Sequence, residues 1–77
     1  MEQMKMFGEF ESNRERARRI WERVCKRRFE WNGYVPHATH TRNMIIYFTM
    51  MLDQGYAIIE DGGGWRIDYE NSTYTQG

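Results

Sequence analysis

Cys25, His37 and His40 are the only thiol and imidazole side chains in the sequence, and they set the first limits on its chemistry. A closed zinc site takes four nitrogen or sulfur ligands. His37 and His40, three residues apart, can share a helical face, but with Cys25 they make only three ligands, so no metal is expected. A cysteine nucleophile needs a base within hydrogen-bond reach. Cys25 instead falls among the apolar residues of a helix, and an inert thiol facing the core is expected. Gly62, Gly63 and Gly64 lack the Gly-Lys-Ser/Thr ending of a phosphate-binding loop and open no helix. The carboxylates lie mostly at the edge of the first helix and on the last strands, with no spacing that pairs two of them for acid–base work. The expectation is a protein without catalytic activity, cofactor or small-molecule substrate.

What remains is the chemistry of recognition. Eleven basic and eleven acidic residues cancel to zero net charge, yet they are segregated. Eight bases fall between Arg14 and Arg28, whereas Asp53, Glu60, Asp61, Asp68 and Glu70 face the single base Arg66 in the last part of the chain. Such polarity steers charged partners or attracts copies to one another.

The elements that must carry these residues can be read from their punctuation. Ser12 and Glu15 have the spacing of a capping box, which starts a helix expected to run to about Phe29. Ala17, Ile20, Trp21, Val24 and Cys25 form its apolar arc at 100° per residue. On the opposite side Arg16, Arg19, Arg23, Lys26 and Arg27 form a basic stripe. It is read either as a solvated face or as a surface for phosphates or an acidic protein. Arg28 falls on the apolar arc, so the helix is expected to fray there or the side chain to turn outward.

Phe29, Trp31 and Tyr34 make the following connection aromatic. They either close the core or present an interface. Pro36 disfavours helix at Val35, and Tyr34–Val35 has the character of a very short strand. A second helix is expected over Thr41–Gln54, capped by Thr39 or Thr41. Met44, Ile45, Phe48, Met51 and Leu52 form its main apolar arc, but Ile46, Tyr47 and Met50 lie on the other side. A helix apolar nearly all round is buried on two sides. Either another part of the chain covers Ile46, Tyr47 and Met50, or a partner does.

Gly55 has the position of a helix stop. Tyr56–Glu60 and Trp65–Tyr69 read as strands joined by a glycine turn over Asp61–Gly64. The expected fold is therefore α+β: two helices followed by a C-terminal antiparallel β-hairpin, with a short third strand at Tyr34–Val35. Residues 12–70 form one small domain. Met1–Glu11 is a tail or short edge strand, and residues 71–77 are a polar tail.

The order of helix, Leu52–Asp53–Gln54–Gly55–Tyr56 and two strands around a glycine loop resembles the last third of a winged helix-turn-helix domain. The resemblance covers about Pro36–Tyr69. It implies that the second helix is a recognition helix and the hairpin a wing, which would place DNA contacts on Thr39, His40, Thr41, Arg42, Asn43 and Tyr47. The sequence departs from that family, because only Pro36–His40 is left for a further helix before the recognition helix. The acids of the hairpin would also repel phosphate.

A domain of this size is marginal without disulfides, metals or oligomerisation. One cysteine excludes an internal disulfide, which leaves self-association. No apolar run approaches the roughly 20 residues of a membrane span. The first residues lack a signal-peptide pattern, so a cytoplasmic protein with no membrane partner is expected. The leading functional expectation is a protein-binding module, similar in size and economy to phage-encoded inhibitors and regulators, with homodimerisation as one mode of binding. Its contact residues would be Ile46, Tyr47, Met50, Trp31 and Tyr34. The alternative is a nucleic-acid-binding regulator using Arg16, Arg19, Arg23, Lys26, Arg27, Thr41, Arg42 and Asn43.

Overall fold

The computed structural model describes residues 11–73. The strand or tail expected before Glu11 therefore lies outside the described residues, as does the end of the polar tail. Within them the chain is α+β: two helices, then a two-stranded antiparallel hairpin and a short 3-10 helix.

Helix α1 spans Asn13–Asn32. Its capping box is formed as expected: the Ser12 hydroxyl accepts from the Glu15 amide at 3.1 Å, and the Glu15 carboxylate accepts from the Ser12 amide at 3.2 Å. Together these satisfy two of the amides that open a helix. At the other end Gly33 adopts the left-handed conformation at φ 74° and donates to the Phe29 carbonyl. The helix thus continues three residues beyond Phe29. The fraying or outward turn expected at Arg28 does not occur, because the hairpin supplies a partner for it. Arg28 Nε donates to the Gly63 carbonyl, and its guanidinium carbon stands 5.2 Å from the centre of the Tyr34 ring.

Helix α2 spans Ala38–Asp53 and starts earlier than expected. Its N-cap is His37, in extended conformation and without a side-chain cap, so neither Thr39 nor Thr41 serves. Pro36 holds the preceding backbone extended, and the helix opens as soon as that constraint ends. Thr41 instead binds the first helix, its hydroxyl accepting from the Trp21 indole at 3.2 Å. The third strand at Tyr34–Val35 is absent, and among the described residues the sheet has two strands. The Tyr34 amide is taken by the Asn32 side chain at 3.0 Å, which turns the chain back instead of extending it.

Gly55 ends α2 as expected. At φ 99° it lets its own amide reach the Leu52 carbonyl and the Tyr56 amide reach that of Met51. This is the paired bonding of a Schellman stop. Strands β1 (Ile58–Asp61) and β2 (Gly64–Ile67) pair with Ile58 opposite Ile67 and Asp61 opposite Gly64. Gly62 and Gly63, at φ 60° and 88°, make the two-residue turn. Positive φ at both positions is what such a hairpin turn requires.

Tyr69 is not part of the second strand; it opens the 3-10 helix Tyr69–Asn71. Ser72 causes the change. Its hydroxyl donates to the Asp68 carbonyl and accepts from the Ala57 amide, which curls the chain back over the hairpin's base. Part of the expected polar tail is thereby tied down, and the Thr73 amide bonds to the Gly55 carbonyl.

The core joins both helices and the first strand, with Ala17, Trp21 and Val24 from α1, Ile45, Phe48, Met51 and Leu52 from α2, and Ile58 from β1, and the half-buried Trp65 and Ile67 of β2 pack against it. The helices run antiparallel, with the Asn13 side chain bonded to that of Asp53 at 2.7 Å. Phe48 is the hub. Its ring lies 6.1 Å from that of Trp21 and 5.0 Å from that of Trp65, both in edge-on geometry. Edge-to-face pairs add to stability beyond their buried area.

Candidate functional site

Three surfaces and one apolar side groove stand out on the described fold. The first is the outer face of α2. Ile46, Tyr47 and Met50 remain 42%, 46% and 54% exposed in the folded chain. Helical spacing puts Ile46 and Met50 one turn apart with Tyr47 beside them. The hairpin covers this face only at one edge, where the Tyr47 ring meets the Trp65 ring edge-on at 5.8 Å. Ile46 and Met50 therefore stand open beside an aromatic border. Asn43 and Arg42, one turn earlier, are exposed as well. Thr41 is not an open contact, since it is half-buried and engaged by Trp21.

The structure divides the expected set of partner contacts. Trp31 is 79% exposed, but it sits on the last turn of α1. Because the helices are antiparallel, that turn lies at the opposite end of the pair from Met50. Tyr34 is half-buried under Arg28. Tyr34 belongs to another surface, an open apolar groove of 480 Å³ lined by Trp21, Cys25, Phe29, Tyr34, Val35 and Pro36 among others. Phe29 and Val35 are well exposed there. Sequence reasoning did not single out Val35, because its exposure follows from the missing third strand. Burial pushes the Cys25 thiol above its ordinary pKa; nearby Arg28 works against this and Glu22 adds to it. Such a thiol is a poor nucleophile at neutral pH.

The second surface is the basic side of α1. Arg16, Arg19, Arg23, Lys26 and Arg27 are all exposed there, as their spacing requires. The acidic hairpin reaches toward them: Glu60 lies 3.6 Å from Arg27 and also accepts from the Gly63 amide at 3.0 Å. Arg19 pairs with Glu11. A groove of 260 Å³ runs between this stripe and β1, lined by Arg16, Arg19, Ile20, Arg23, Ile58, Ile59 and Glu60.

The third surface was not assembled from the sequence. Arg14, Arg18 and Arg42 line one groove of 330 Å³ with Thr41, Ala38 and Ile45. The i,i+4 spacing of Arg14 and Arg18 signals a shared face, but their meeting with Arg42 depends on how the helices pack. Among the described residues, no three of histidine, cysteine, aspartate and glutamate come together as a metal site. No described helix is long and apolar enough to cross a membrane.

Compared with protein-family models, with curated proteins and with solved structures, the chain shows no significant match. Its own geometry is therefore the basis for any reading of function.

Proposed function

We propose that this chain is a small non-enzymatic protein-binding module that works by occluding a surface of its partner, in the manner of a phage-type inhibitor or regulator. One observation carries the reading. Ile46, Tyr47 and Met50 form a continuous apolar strip on a well-built helix, and the rest of the described fold leaves it open. Exposed apolar patches rimmed by polar groups are the usual mark of an interaction site, and methionine suits an adaptable one. The partner is another protein or a second copy of this chain. A free, half-buried thiol fits a reducing cytoplasmic setting.

The test is Met50→Asp. The variant should keep the wild-type circular dichroism and unfolding midpoint while losing the partner, or the dimer, that the wild-type chain holds. A strictly monomeric wild type whose Met50→Asp variant unfolds would make the strip ordinary core and end the proposal.

A second reading, a winged-helix-like nucleic-acid-binding regulator, is favoured by the Arg14, Arg18 and Arg42 groove beside the start of α2. Binding of that kind weakens steeply with salt as counterions are displaced. It predicts a salt-sensitive shift with duplex or single-stranded nucleic acid, abolished by Arg14→Glu with Arg18→Glu. No shift at low salt would dismiss it.

A further inference from the structure

Among the described residues, the groove between α1 and β1 has an open peptide edge along one wall. The Asp68 amide donates to the Ala57 carbonyl at 2.8 Å, which makes Ala57 and Asp68 a hydrogen-bonded pair at the base of the hairpin. In an antiparallel ladder, bonded and non-bonded pairs alternate. With Ile58 opposite Ile67 and Glu60 opposite Trp65, the backbone groups of Ile58 and Glu60 point away from β2. Among the described residues no backbone group bonds to that outer side. It opens onto the groove whose floor includes Ile20 and Ile58 and whose rim carries Arg16, Arg19 and Arg23.

We propose that this groove takes an extended, acidic peptide segment of a protein partner, which adds beside β1 as a third strand. The surface is distinct from the α2 strip, so the inference goes beyond the reading above. Strand addition draws affinity from the backbone and specificity from alternate side chains. Here the alternate side chains facing α1 would meet three arginines, so carboxylates belong at those positions. The chain already shows the chemistry: Glu11, from non-helical backbone, seats its carboxylate on Arg19. Glu60 does not oppose an acidic visitor strongly, because Arg27 and the Gly63 amide hold its charge.

A second copy fits less well. Pairing β1 with its equivalent would bring two arginine stripes to the same side of the joined sheet, where like charges repel. Nucleic acid offers phosphate to the arginines but no alternating amide and carbonyl groups for the strand edge.

The experiment uses the full chain and a labelled ten-residue peptide alternating glutamate with valine. Anisotropy should show binding that falls at least tenfold when alternate peptide amides are N-methylated, and at least tenfold with Arg19→Glu plus Arg23→Glu. A peptide with lysine in place of glutamate should not bind. Amide exchange at Ile58 and Glu60 should slow in the complex, and Met50→Asp should leave the affinity unchanged, which separates this site from the α2 strip. No binding at low salt would overturn the proposal. So would binding indifferent to N-methylation, or equal protection of Ile58 and Glu60 by an oligonucleotide. The N-methylated peptide leaves the protein untouched, so the test holds even if the double arginine variant folds poorly.

Discussion

Arg28 shows how one side chain can look misplaced in sequence and be well placed in space. Its helical position is on the apolar arc, where an unpaired charge is costly. The structure answers with the carbonyl of Gly63 from the distant hairpin and the ring of nearby Tyr34. Its Nε bonds to Gly63, thirty-five residues away, and its Cγ would lie 3.3 Å from a β-carbon added at Gly63. Arg28→Ala should therefore destabilise the fold by about 1–3 kcal/mol, the range for a hydrogen bond to a charged group with a stacked ring added, read as a lower urea midpoint. Gly63→Ala should cost at least about 1 kcal/mol, because a positive φ strains any residue with a β-carbon. Nothing local in the sequence announces this contact. Cys25 was legible by contrast, since helical periodicity alone places it beside Trp21 and Val24. Burial raises its pKa above the ordinary value, so the unfolded thiol ionises first. Its contribution to stability is whole below the unfolded pKa of about 8.5 and is lost as the pH rises through the folded one. Thermal melts should show an alkaline decline that Cys25→Ala lessens. An equal decline in that variant would place its cause elsewhere.

At the scale of elements, local chemistry was readable wherever its partners are close in sequence. The Ser12–Glu15 box, the Gly55 stop and the glycine turn are each closed within a few residues, and each formed. Ser12→Ala should lower stability by about 1 kcal/mol, the usual worth of such a cap, measured by denaturant unfolding. The elements that differed were settled by side chains whose effect on the backbone is not visible in periodicity. Ser72 draws the chain into a 3-10 turn at Tyr69, and the Asn32 side chain removes Tyr34–Val35 from the sheet. Helix α2 joins both kinds of information. Its buried arc followed from periodicity, and Phe48→Ala should cost about 3–5 kcal/mol, enough to leave so small a domain largely unfolded at ambient temperature. Native-like near-ultraviolet dichroism in that variant would show the aromatic cluster to be dispensable. Its outer strip was equally visible as apolar, but only the packed fold shows that the hairpin meets Tyr47 and stops short of Ile46 and Met50.

At the scale of the whole molecule, charge segregation in sequence becomes an arrangement of faces. The acidic hairpin lies alongside the basic stripe of α1, so part of the expected attraction is met internally through Arg27 and Glu60. The sequence could not show that Arg14, Arg18 and Arg42 share a groove, or that Trp31 lies far from Met50. Both depend on the antiparallel packing of the helices. Arg42, one turn before Ile46, borders the apolar strip of α2, whereas Arg14 and Arg18 stand on the other helix, so substitutions at Met50 and at Arg14 with Arg18 address the two surfaces one at a time. The most direct measurement compares capture from native extract by the wild-type chain, by Met50→Asp and by Arg14→Glu with Arg18→Glu, each matched for melting temperature and followed by sedimentation to score self-association. If the α2 strip is the binding surface, Met50→Asp alone loses a partner or a dimer that the arginine variant retains. Identical partners and identical sedimentation for all three folded chains would contradict it.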